Sequence, residues 1–213
     1  MPSIRVALLS FTVLLAACGP EEGSGVMRSE DFQVDEFTKV RVSEGLTVEV
    51  MTGARRVNVT ADDNLIDSFK FDVDGKTLKV SRDGGRVQPT FARIVISTPT
   101  LERLDAVNGS NITASEISAT TFEIDARDES RIFATGLARD LDIDCHGQSV
   151  VDTGALNAGK AKVDVSGQSL VTVSATSELE IDASGNSRVI VFGNPTQRNV
   201  DADPGSEVIF SAQ

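Results

Sequence analysis

The chain has 213 residues, with 32 acidic and 20 basic side chains, a net charge of −12, one His, two Cys and neither Trp nor Tyr. That balance excludes a nucleic-acid binder, which needs a positive footprint for phosphate, and it disfavours adsorption to anionic lipid head groups. The missing Trp and Tyr argue against sugar-stacking platforms, and two Cys are too few for a disulfide-stapled fold.

Residues 1–17 carry Arg5, an apolar run from Val6 to Leu14, and small residues at Ala16-Ala17 before Cys18. This layout predicts an export signal that is removed, since about 12 apolar residues are too few for a ~20-residue membrane span. Leu15-Ala16-Ala17-Cys18 resembles the lipobox of bacterial lipoproteins. The resemblance implies that Cys18 is acylated and becomes the new N-terminus, with the lipid anchoring the chain to a membrane. By the same resemblance, Gly19 after Cys18 points to the outer membrane. Removing residues 1–17 loses Arg5 and no acid, so the mature chain has 19 basic against 32 acidic side chains, a charge of −13. Residues 18–31, rich in Gly, Pro and Glu at their start, are expected to form a flexible tether. Residues 32–213 are long enough for one domain with its own core.

Residues 32–103 alternate apolar and polar side chains as strands do. Six strands are expected: Phe37–Ser43, Leu46–Val50, Val57–Thr60, Phe69–Val73, Thr77–Ser81 and Phe91–Ser97, punctuated by Gly45, Gly53, Gly75 and Gly84-Gly85. Asp62–Asp67 is expected to make one short helical turn, its acids at the positive end. Because the end of a stacked array exposes core and strand edges, this irregular half is expected to cap the array.

From residue 104 one nine-residue phrase recurs six times, beginning at Leu104, Ile124, Ile143, Val163, Ile181 and Val200, with spacings of 20, 19, 20, 18 and 19 residues. A fixed period near 19 with strand-like alternation predicts an all-β fold, a single-stranded β-helix or β-solenoid of three faces, right-handed, with about 19 residues per coil. The first, third and ninth positions are apolar in every copy and should face inward. Ile117, Leu137 and Leu156 recur later in the coil and suggest the third inward side.

The second position is Asp105, Asp125, Asp144, Asp164, Asp182 and Asp201, between two inward columns and therefore facing solvent. At about 4.8 Å between neighbouring strands, such a row repels itself, and a cation would relieve it. Glu123, Asp142 and Glu180 deepen the field; Lys162 interrupts it. Ca²⁺ is the candidate ion, but a flat row supplies fewer than the roughly six to eight oxygens Ca²⁺ takes. A solvated face that discourages aggregation is the preferred reading, and no cofactor is expected.

The seventh position is Ser110, Ser130, Ser149, Ser169, Ser187 and Ser206, each after a turn, and predicts a structural ladder rather than a nucleophile. Gly147-Gln148-Ser149 continues into Val150, so the second Gly of a nucleophile elbow is absent. Cys145 and His146 are adjacent and should point to opposite faces of a strand, which prevents a dyad; Cys145 is expected in the core. Asp144 and Asp164 could be nominated as a carboxylate pair for glycoside cleavage. Every other pair in the column qualifies equally, so no enzyme is expected.

Taken in order, the Phe37-x-x-Val-x-Val strand, Thr60-Ala-Asp-Asp-Asn-Leu-Ile66, Thr77-Leu-Lys-Val80, Ile94-Val-Ile-Ser-Thr-Pro99-x-Leu101 and Asn108-Gly-Ser110 resemble the auto-transporter adhesin head family, or GIN domain. The resemblance spans nearly all of residues 32–213 and implies a β-helical fold in the cell envelope, with no catalytic motif to carry over. Family turns are commonly Gly-Ser-Gly, whereas this chain has Asp128-Glu129-Ser130 and Asp203-Pro204-Gly205, so its corners are more acidic. The expected function is a lipid-anchored adhesin-like binding module of the bacterial envelope, taking a protein or cell-surface polymer, or self-associating through its ends. A periplasmic scaffold or envelope-stress component, and a polysaccharide lyase or glycosidase, are the alternatives.

Overall fold

Pairing of the backbone begins well before the domain start expected at Phe32. The computed structural model describes residues 21–83, 87–88 and 91–211; the expected export segment, residues 1–17, and Cys18 lie outside them. Strand β1 (Glu21–Glu22) precedes β2 (Met27–Phe32), which pairs antiparallel with β5 (Arg56–Asp62). Between β1 and β2 the chain is also pinned. Ser24 N donates to Asn64 Oδ1 at 2.9 Å, Gly25 N to Asp62 Oδ1 at 2.8 Å, and Asn64 Nδ2 to the carbonyl of Glu22 at 3.0 Å. The stretch expected as a tether is therefore built into the cap from Glu22 onwards.

The remaining cap strands are β3 (Lys39–Val42), β4 (Thr47–Thr52), β6 (Phe69–Asp74), β7 (Thr77–Arg82), β8 (Val87–Gln88) and β9 (Ala92–Thr98), with a 3-10 turn at Ile66–Ser68. All six expected strands are present, and the helical turn falls at the end of the expected acidic segment. β8 pairs with β1 in a separate two-stranded sheet. β7 stacks parallel on β3 and β9 on β4, while β6, β5 and β2 add antiparallel strands beyond them. The cap thus converts a parallel stack into an antiparallel meander.

The cap also contains a copy of the repeat that its sequence disguises. β3, the corner Ser43–Leu46 and β4 lie in register with the first phrase, Val40 on Leu104 and Val48 on Ile112. Val40-Arg-Val-Ser-Glu-Gly-Leu-Thr-Val48 keeps the inward columns but replaces Asp by Arg41 and Ser by Leu46. The 64 residues separating it from Leu104 hide the period, because the antiparallel strands are inserted there.

The regular coils follow: β10 (Arg103–Ala106), β11 (Asn111–Ala126), β12 (Arg131–Cys145), β13 (Val150–Val165), β14 (Leu170–Ala183), β15 (Arg188–Phe192), β16 (Gln197–Ala202) and β17 (Glu207–Ser211). Each pairs parallel with the next coil inside one fifteen-stranded sheet, a β-solenoid. Register between β11 and β12 runs in three pieces, 111–114, 117–119 and 121–126. Inward residues Ile112 and Ala114, Ile117, and Phe122, Ile124 and Ala126 come from the three pieces, so three sides close on one core. Small residues in the third column, Ala106, Ala126, Cys145, Val165 and Ala183, are all at most 1% exposed.

Three inward assignments change, at Leu137, Val200 and Ala202. Leu137 is 61% exposed, and Gly136 takes the place opposite Ile117 and Leu156. One residue fewer separates Ser130 from this side than separates Ser110 or Ser149 from it, and in a strand a one-residue slip moves a side chain to the other face. Val200 and Ala202 keep their register with Ile181 and Ala183 yet are exposed, Val200 by 41%, since among the described residues no coil stacks on β16. Among the described residues no helix is long and apolar enough to cross a membrane.

Candidate functional site

Corners are the part of each coil that the repeat holds most constant. Asn108-Gly109, Asp128-Glu129, Gly147-Gln148, Gly167-Gln168 and Gly185-Asn186 all have both residues at positive φ, between 55° and 72°. Successive corners are joined by backbone hydrogen bonds, such as Glu129 N to the Gly147 carbonyl and Gln148 N to the Gly167 carbonyl, each 2.9 Å. The serine that ends each corner is buried and serves the coil before it. Ser110 N donates to Ser130 Oγ, Ser130 N to Ser149 Oγ and Ser149 N to Ser169 Oγ, each at 3.2 Å, and the series continues through Ser187 to Ser206. It stops at Ser110, whose Oγ has no partner, since the Leu46 N–H at the equivalent place in the cap coil donates to the Ser43 carbonyl at 3.5 Å instead. These hydroxyls are structural groups of the stack.

The six aspartates stack in unbroken register, Asp105 on Asp125, then Asp144, Asp164, Asp182 and Asp201. They are not equally solvated. Asp105 and Asp125 are 9% and 4% exposed, because Arg103 lies across them: Nε binds Asp105 Oδ1 at 2.6 Å, Nη1 Glu123 Oε2 at 2.9 Å, and Nη2 Asp125 Oδ2 at 3.0 Å. Arg127 also pairs with Asp125. The row is therefore partly neutralised at its cap end by cations of the protein itself, Arg103 and Arg127. Burial alone would lower the Arg103 pKa, but its hydrogen bonds to Asp105 and Glu123 outweigh this and hold it raised. Burial raises the Asp125 carboxyl against the pull of Arg127, and Asp105 adds to the rise. Asp142 is raised by burial and by the Asp144 charge.

Beyond Arg103 the row opens to water. Asp144, Asp164, Asp182 and Asp201 make no ion pair among the described residues. Asp144 and Asp164 do face each other across neighbouring strands. No group of three or more His, Cys, Asp or Glu among the described residues is arranged to hold a metal ion. Beside the row, a shallow groove of about 250 Å³ is lined by Asp140, Asp142, Lys160, Lys162, Glu178 and Glu180. Its four acids outnumber its two lysines, and Lys160 pairs with Glu178 at 2.6 Å.

Cys145 is buried and free, its thiol pushed up to about 12 by desolvation. His146 points away from it at the corner, with Nδ1 2.7 Å from Ser166 Oγ. The two form no dyad.

The far end of the stack breaks the pattern. β16 and β17 pair only with β14 and β15, leaving their other edges unpaired within the described chain. Arg198 stands in the inward column above Leu179, and Phe210 in the inward column above Val191. The guanidinium lies 4.4 Å from the Phe210 ring centroid, over the last described coil. Pro204, whose ring fixes φ near −65°, replaces a left-handed corner residue. The Asp203 carboxylate accepts Gly185 N at 2.8 Å and Gly205 N at 3.1 Å instead, and its pKa is lowered mainly by the first of these. Arg103, Arg198 and the Arg41 copy escape notice in the sequence because each interrupts a column rather than repeating it.

A parallel β-solenoid whose polar groups recur coil after coil, capped at one end and with its last described strands unpaired at the other, defines the fold class. The chain belongs to the family described as "Putative auto-transporter adhesin, head GIN domain", matching it over residues 36–195. Among solved structures it is similar to a "putative adhesin" from Bacteroides fragilis (16% identity, TM-score 0.71, 89% of this chain and 99% of that one). It is also similar to a "putative adhesin" from Parabacteroides distasonis (16% identity, TM-score 0.57, 90% and 100%). A third, a "putative lipid binding protein" from the same species, has 17% identity and a TM-score of 0.51 over 92% and 98%. At these identities the likeness is one of fold. No curated protein sequence matches significantly.

Proposed function

We propose that this protein is a non-catalytic, adhesin-like binding module of the bacterial cell envelope, anchored through acylated Cys18 and engaging a protein partner at the open end of its solenoid. The carrying observation is the terminal coil. β16 and β17 offer a one-sided edge of backbone N–H and C=O groups, flanked by the exposed side chains of Val200, Ile209 and Phe210. An extended segment of a partner can add there as a further strand, with main-chain hydrogen bonds giving affinity and the apolar side chains giving specificity. Asp201, Asp203 and Pro204 limit indiscriminate pairing at the same edge.

The non-catalytic part of the reading is supported by uniformity. A catalytic site concentrates unlike groups on a departure from the repeat, whereas the serines and aspartates recur once per coil. The test treats intact cells with an impermeant protease and follows the protein by immunoblot, with lysed cells as the cleavage control. Digestion on intact cells is expected. Protection until lysis overturns surface adhesion and leaves a periplasmic scaffold acting through the same edge.

A further inference from the structure

Eight large apolar side chains are exposed among the described residues, and three of them, Val26, Met27 and Phe91, gather at the end of the cap where the chain enters. They are 59%, 43% and 50% exposed. Met27 on β2 is paired with Asp62 on β5, and Ala61 on β5 with Ala92 on β9, so Phe91, the residue before β9, continues the Met27–Asp62 row by one step of the β5–β9 register. Paired residues of antiparallel strands project to the same face, which places Met27 and Phe91 on one side of the sheet. The acid between them is withdrawn from that surface. Asp62 is 0% exposed, its carboxylate accepts Gly25 N, and Gly23 passes so close that a Cβ there would lie 2.3 Å from Asp62 Oδ2. Segment 23–25 thus covers the charge that lies between Met27 and Phe91.

The position of this tip relative to Cys18 is what assigns its occupant. Glu22 is already fixed through its carbonyl to Asn64 Nδ2 at 3.0 Å, and Val26 through its carbonyl to Asp63 N at 2.8 Å. Only Gly19, Pro20 and Glu21 separate Cys18 from Glu22, and four Cα steps reach at most about 14 Å. On the reading that Cys18 is acylated, the glycerol-linked sulfur sits at the bilayer interface. So short a link holds the cap against it.

We infer that Val26, Met27 and Phe91 form a membrane-contact tip that inserts into the interface of a zwitterionic bilayer and stands the solenoid with its open coil away from the lipid. The inference rests on the acylation of Cys18 proposed above. Charge selects the lipid: Asp63 and Asp67 flank the tip, and of these Asp67 is only loosely offset by Arg28, at 3.9 Å. Anionic head groups oppose contact, whereas phosphatidylcholine-like ones accept it.

The chain contains no Trp, so a single introduced Trp reports its own surroundings. The full lipidated chain carrying Met27→Trp, or independently Phe91→Trp, is reconstituted into phosphatidylcholine vesicles with and without brominated acyl chains, and Ile209→Trp serves as the reporter at the open end. Expected are a blue-shifted emission and strong bromine quenching for Trp at 27 and at 91, neither for Trp at 209, and weaker quenching as anionic lipid is added. Equal emission and quenching at all three positions, in protein whose mass shows acyl chains on Cys18, overturns the contact and leaves the anchor standing. A mass without acyl chains overturns both.

Discussion

The guanidinium of Arg198 lies 4.4 Å from the ring centroid of Phe210, both residues occupying positions that point into the core in every earlier coil. A charged side chain in a core column is tolerable only at the last coil, where its polar end meets water while its plane covers the aromatic face. Arg198 also donates to Asn194 Oδ1 at 2.7 Å, which fixes its direction. Arg198→Ala should lower stability by about 1 kcal/mol and, by uncovering Phe210, promote self-association. Thermal melts and sedimentation velocity read the two effects; an unchanged sedimentation profile at high concentration contradicts the second.

Gly136 and Leu137 should respond in opposite senses to what their residue types suggest. A Cβ at Gly136 would lie 2.2 Å from the Ile117 carbonyl oxygen, and its φ of 137° is one that L side chains rarely adopt. Gly136→Ala is therefore expected to cost roughly 3 kcal/mol or more. Leu137→Ser, at a side chain mostly in water, should stay within about 0.5 kcal/mol of the parent. Denaturant midpoints of the two variants decide, and the reverse order would mean that the register at this corner is wrong.

Arg103 and Asp125 make a pair of predictions with a pH dependence. Arg103→Ala leaves two nearly buried carboxylates facing each other and should cost about 3 kcal/mol at neutral pH. Asp125→Asn should be neutral or stabilising by about 1 kcal/mol there, because the folded carboxyl titrates above its ordinary value. The sign follows from proton binding. The native state holds this proton more tightly than the unfolded chain, so charging Asp125 destabilises the fold. That penalty is full above the raised folded pKa and disappears as pH falls through it to the ordinary carboxylate range. Stability curves for parent and Asp125→Asn should converge on acidification, and divergence in urea titrations between pH 7 and about 4 would falsify the assignment.

The serine ladder predicts a polarity. Ser149→Ala removes the acceptor for Ser130 N, a buried donor, and should cost about 1 to 3 kcal/mol. Ser110→Ala removes a hydroxyl whose oxygen has no partner and should cost much less. Amide hydrogen exchange separates them: protection should fall at residue 130 in the first variant and stay unchanged at residue 46 in the second.

The coils were legible because the phrase around each first corner is nearly invariant, from Leu104 to Val208, and strand parity then dictates which columns point inward. Coil lengths of 18 to 20 residues are absorbed elsewhere, at irregularities such as those between Ala114 and Ile117 or between Thr153 and Asn157. Leu137 departs from its expected inward position because a missing residue at that point reverses its face, and a sequence column carries no record of where the slip occurs. The copy at Val40–Val48 stayed hidden behind inserted antiparallel strands. The carboxylate row was visible, but not its burial under Arg103, since that depends on one guanidinium reaching over two strands. The pinning of residues 22–25 rests on side chains of Asp62 and Asn64, some forty residues away, and no local pattern announces it.

From Asp105 to Asp201 the row crosses five strand spacings, a rise of about 24 Å at roughly 4.8 Å each. Every coil closes its own corner and receives its neighbour through the same serine and the same backbone bonds, so duplicating one unit of about 19 residues asks for no new interior chemistry. Height is therefore a variable that gene duplication can change in fixed steps while both end pieces stay as they are. The stack works as a graduated spacer between its two specialised ends, and natural variation in this domain should appear as whole coils gained or lost between an unaltered cap and an unaltered Arg198–Phe210 lid.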